Sequence, residues 1–164
     1  MLRFLPGIVA CLAAARVAAA SATDLRDCLT QEPADRTACL EIARQLIDQG
    51  DVHFRAGRFS EAFADWTPAI RISSNLHPAR SAARAESIDR AGLIHYHAGR
   101  FAESERAHRE SVGIRQSLRM TNDVRLAEFS LNLAEALRAQ SRLAEAWPLL
   151  TNSVAIYQAA AYSE

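Results

Sequence analysis

The chain has 164 residues, with 19 basic side chains against 19 acidic ones and no net formal charge. That length allows one domain with an adequate core, and zero charge leaves no basic field to hold nucleic acid. All the basic residues are arginine, and the alanine-rich, arginine-rich usage reads as GC-rich bacterial coding. Helix propensity is high throughout and no stretch alternates like a strand, so the expected class is all-α.

Residues 1–20 stand apart. Met1-Leu2-Arg3 gives a positive start, Phe4 to Ala15 an apolar run, and Ala18-Ala19-Ala20 or Ala20-Ser21-Ala22 a small-residue cleavage site. This pattern reads as a cleavable secretory signal, too short for a membrane span. A periplasmic or secreted location follows as an expectation, with no span left after cleavage. Cys11 leaves with the signal, so Cys28 and Cys39 remain as an even pair in a chain bound for an oxidising space. A disulfide between them is expected to tie a short segment, Asp24 to Leu29, within an N-terminal cap segment at 21–38, to the start of the first long helix.

The remainder, 39–164, reads as helix, tight turn, helix, three times. Long helices are predicted over 37–56, 60–73, 79–98, 101–118, 123–140 and 143–160, giving repeats at 39–76, 79–120 and 122–160. Pro68 lies inside the second of these and is expected to kink it. Residues 73–78 read as a loop, with Pro78 in the first turn of the next helix. Thr121 or Asn122 is the expected cap after the second loop. The repetition is direct: Gly50/Gly92, His53/His95, Ala56/Ala98, Gly57/Gly99, Arg58/Arg100, Phe59/Phe101 and Glu61/Glu103 all pair at an offset of 42. Another step of 42 reaches 134–146, where Ala139, Arg142, Glu145 and Ala146 keep the register. Gly57 and Gly99 should stop their helices in the left-handed conformation. Gly50 and Ala62 let two antiparallel backbones approach, while Trp66 fills the seam.

This arrangement resembles the tetratricopeptide repeat. The key places hold Leu46, Gln49-Gly50, His53, Ala62 and Trp66; then Ile88, Ala91-Gly92, His95, Ser104 and His108; then Ser130, Leu133-Ala134, Leu137, Ala146 and Leu150. Histidine twice stands where the family has an aromatic, and His108 sits where a ring normally fills the core. The period of 42 exceeds the family's usual length of about 34 and is similar to the long-period variant of kinesin-light-chain-like and bacterial arrays. The resemblance implies an α-solenoid of three helix-turn-helix repeats that binds a protein or peptide segment in a concave groove. It also implies which residues line that groove: Arg44, Asp48, Asp51, Phe54, Arg55, Arg90, Tyr96, Asn132, Glu135 and Arg138. Family members that grip a terminal carboxylate use a lysine and asparagine set, and this chain has no lysine.

Nothing in the sequence points to chemistry. His95 and His97 point apart on a helix, and no third ligand has metal spacing with any histidine. There is no Gly-x-Ser-x-Gly elbow and no glycine-rich phosphate loop. The expectation is therefore a binding module, not an enzyme, with no metal and no cofactor. Two other readings use the same residues: the N-terminal scaffold of a larger signalling or protease protein, or a structural dimerisation block. The final helix carries Leu149, Leu150, Val154, Ile156 and Tyr157 with no polar capping helix after it, which predicts an apolar edge suited to homodimerisation.

Overall fold

The computed structural model describes residues 22–30, 33–119 and 123–161. The expected signal segment, and the expected caps Thr121 and Asn122, lie outside them. Among the described residues seven helices run in order: α1 (Ala22–Cys28), α2 (Arg36–Arg55), α3 (Phe59–Leu76), α4 (Ala82–His97), α5 (Phe101–Ser117), α6 (Val124–Ala139) and α7 (Leu143–Ala161). No strand occurs among the described residues, and the chain is an all-α solenoid of helix pairs: α2 with α3, α4 with α5, α6 with α7. It divides into two compact units between Leu76 and His77.

The helices start and stop for local reasons. Asp35, Ser81 and Asp123 accept from the backbone N–H of Ala38, Arg84 and Leu126 at 2.9, 3.2 and 3.2 Å, satisfying donors that a helix start leaves open. Pro78 is therefore not in the first turn of α4. It precedes the cap, and its carbonyl accepts from the Ser81 hydroxyl at 3.0 Å. The acidic side chain Asp123 caps α6. Helix α3 also runs past the predicted stop at 73 to Leu76, whose carbonyl accepts from the Arg36 guanidinium.

The stops repeat closely. Gly57 and Gly99 have φ of 74° and 73°. In each turn the glycine N–H reaches back three residues, to Phe54 or Tyr96, and the following arginine N–H reaches back five, to His53 or His95, all at 2.9 Å. This is the Schellman pattern, which satisfies two terminal carbonyls at once. The third turn has the same bonds from Ser141 and Arg142 to Arg138 and Leu137, but Ser141 supplies the positive φ of 61°.

In the first unit, Cys28, Cys39, Ala43, Ala69, Ile72 and Leu76 form the core, with Leu25, Leu29 and Leu40 against it. Cys28 and Cys39 are joined as a disulfide with Cα atoms 5.2 Å apart, fastening α1 to α2. In the second, Ala85, Val112, Phe129, Leu133, Ala134, Leu137 and Ala146 form the core. Each unit has one seam held open by a glycine. A Cβ on Gly50 would reach the Trp66 indole Nε1 at 2.5 Å, and one on Gly92 would reach His108 Cε1 at 2.5 Å.

Candidate partner-binding face

The expected site residues fall on the first helices of the repeats, and each unit places its own set. On α2, Arg44 and Asp48 are exposed and paired at 2.8 Å. Arg44 also bonds Glu41, and these contacts hold the Glu41 carboxyl down to about 2. Asp51 accepts from the Trp66 indole at 3.1 Å, so it anchors the seam of its own repeat. Phe54 packs on Phe59 and Trp66 with ring centres 5.2 and 5.1 Å away, extending the seam toward the surface. Arg55 is exposed in the last turn. His53 replaces the family aromatic by a polar contact, its Nδ1 lying 2.9 Å from Asp65 Oδ2.

In the second unit one of the expected residues, Arg90, is buried, and another, Asn132, is half-buried. Asp89 is 0% exposed and sits at the centre of a polar cluster. His108 Nδ1 lies 2.8 Å from Asp89 Oδ1, Asn132 donates to both carboxylate oxygens at 3.2 and 3.0 Å, and Arg90 donates to Oδ2 at 3.2 Å. Arg90, only 4% exposed, is thus drawn inward with Asn132 to satisfy a buried carboxylate. The cluster substitutes for an apolar seam. At the same offset the first repeat has Ile47 and Trp66, and the second has Asp89 and His108, both 19 apart. The sequence signal was this paired exchange of apolar for polar at two seam positions in one repeat.

Tyr96, Glu135 and Arg138 are left toward solvent. Tyr96 is half-buried against Phe101, ring centres 5.4 Å apart, and Arg138 is exposed. The Arg138 guanidinium is bonded to Glu135 at 2.6 Å, and that bond, with the nearby Tyr96 phenol adding to it, raises the arginine above its ordinary range. An aromatic ring from α4 and a guanidinium from α6 therefore stand side by side. Neighbouring half-buried His95 is pushed below the ordinary histidine value, chiefly by burial and then by the Arg100 charge. On the other side, Glu105 joins Arg109, Gln140 and Arg142. Burial alone would raise its carboxyl, but those three hydrogen bonds outweigh it and bring it down.

Among the described residues no helix is long and apolar enough to cross a membrane. A family model described as Tetratricopeptide repeat matches residues 84–118, which cover α4 and α5 almost from end to end. The solved structure of BtubC (BKLC) from P. vanneervenii is similar in fold, with a TM-score of 0.60 at 19% identity. The similarity covers 75% of this chain and 50% of that one, so the chain spans about half the length of that protein. No curated protein matches the sequence.

Proposed function

We propose that this chain, which carries a tetratricopeptide repeat, binds a protein segment on the first helices of its repeats, in a periplasmic or secreted setting. The observation that carries the reading is the Tyr96–Arg138 pair. Both side chains come from first helices of adjacent repeats; Arg138 is exposed, and Tyr96, half-buried on Phe101, keeps part of its ring toward solvent. Aromatic and arginine side chains most often dominate binding energy once a partner desolvates them. Glu135 orients the guanidinium, so little side-chain entropy remains to be lost on binding. A terminal-carboxylate grip is not the mode, because Asn132, the one asparagine at a place such grips use, is occupied with buried Asp89. The Cys28–Cys39 bond supports export, since such bonds persist in oxidising compartments.

Crosslinking capture from a periplasmic extract would identify the partner, and titration of that partner tests the surface. Tyr96→Ala and Arg138→Ala should each weaken it by ~2 kcal/mol, about thirtyfold in Kd. Helical content should barely move in either variant, and the melting temperature of Arg138→Ala should hold, because an exposed arginine–glutamate pair contributes little to stability. Wild-type affinity in both variants would sink the assignment.

A further inference from the structure

Two side-chain amides cross from the third repeat to the second, one on either side of Arg138 in the chain. Before it, Asn132 donates to both Asp89 carboxylate oxygens at 3.2 and 3.0 Å. After it, Gln140 donates to the Phe101 carbonyl at 3.3 Å and to Glu105 at 2.9 Å. Tyr96 stands in the matching place on the second repeat. Asp89 precedes it on α4 by about two turns, roughly 10 Å along the axis, and Phe101 packs on its ring. The Tyr96–Arg138 pair is therefore bracketed by two hydrogen-bonded links between the repeats.

Other contacts do less to fix this spacing. To the apolar core of the second unit α4 supplies Ala85, near its start and far from Tyr96. A third link between the two helices, Arg125 to Glu86, spans 3.9 Å between partly exposed side chains, so solvent screens it. Apolar contact is also non-directional and tolerates a slide, whereas a hydrogen bond weakens steeply once its geometry is lost. The His108 and Arg90 contacts of Asp89 come from its own repeat, so Asn132 is what ties that carboxylate to α6. A slide of α6 would take this donor from a fully buried charge, which is costly.

We propose that Asn132 and Gln140 are positioning residues. Together they set α6 against the second repeat so that the Arg138 guanidinium meets the Tyr96 ring. The inference deepens, and rests on, the reading of that pair as the partner-binding element. It gives Asn132 a part in the site without any contact to a partner.

Through-space NMR cross-peaks between the Tyr96 ring and the Arg138 side chain, in the oxidised full chain with no partner present, report the pair directly. The wild-type chain should show them. Asn132→Leu and Gln140→Met nearly keep side-chain volume but remove the donors, and each should weaken the cross-peaks. The double variant should lose them. Ser153→Ala controls for lost stability: it removes the 3.0 Å bond to the Ala127 carbonyl, elsewhere on α6, and should leave the cross-peaks intact. If the double variant does not fold, Gln140→Met decides alone, since it lies at the half-buried end of α6. Absence of the cross-peaks from the wild type overturns the proposal. So does wild-type strength in both single variants, or an equal loss in Ser153→Ala. Because no partner enters the measurement, its failure is distinct from failure of the Tyr96→Ala and Arg138→Ala titrations.

Discussion

At the scale of single residues, the three turns form a controlled comparison. Gly57, Gly99 and Ser141 share a left-handed backbone and the same pair of hydrogen bonds. A Cβ at Gly57 or Gly99 would meet nothing within 4 Å, so the demand for glycine there is purely conformational. Valine at either position should cost well over ~1 kcal/mol, because a branched side chain is strained at positive φ. At the third turn serine already bears part of that strain. Ser141→Gly should therefore stabilise the second unit, by roughly 1 kcal/mol, the low end of the left-handed penalty. Urea midpoints of Gly99→Val and Ser141→Gly, moving in opposite directions, are the check. A shift of the same sign in both would overturn the turn assignment.

At the scale of the helix pair, the second repeat tests how a polar seam replaces an apolar one. In the first repeat the indole of Trp66 fills the space that Gly50 leaves and donates to Asp51. In the second, the smaller His108 fills the space at Gly92 and needs Asp89 beside it, which in turn needs Asn132 and Arg90. Removing one member of a buried charged set strands the others, at a cost of about 3–5 kcal/mol. Asp89→Ala should destabilise by that amount, and the Asp89→Ala, His108→Ala double variant by clearly less than the sum of the singles. Strict additivity in chemical denaturation would show that the two side chains do not work as one unit. The exposed Arg44–Glu41 pair offers the contrast: it is screened by solvent, and Glu41→Ala should shift stability hardly at all.

At the scale of the whole molecule, the two units carry separate cores, and only the first is cross-linked. Closing a loop of 11 residues should stabilise the first unit by about 3 kcal/mol through the entropy of its unfolded state. Reduction should therefore lower amide protection across α2 and α3, while α4 to α7 keep theirs. Hydrogen exchange with and without reductant measures both units in one sample. Equal loss of protection everywhere would mean that the units unfold together.

What the sequence determined by itself is local and periodic. The Gly-Arg-Phe turns, the helix pairs and the offset of 42 follow from backbone conformations and apolar spacing, which each segment carries within itself. Cap positions were legible only to within a few residues, because Ser81 and Asp123 compete with other polar residues nearby and only the folded helix start selects among them. The tertiary structure alone decided which polar side chains go inside. Arg90 and Asn132 carry every surface credential in sequence, yet the buried Asp89 carboxylate holds them both, next to Arg90 in the chain and 43 residues from Asn132. It also turned Trp147 outward and left Tyr96 beside Arg138. Burial depends on what an adjacent helix brings to a side chain, and no window of local sequence contains that neighbour.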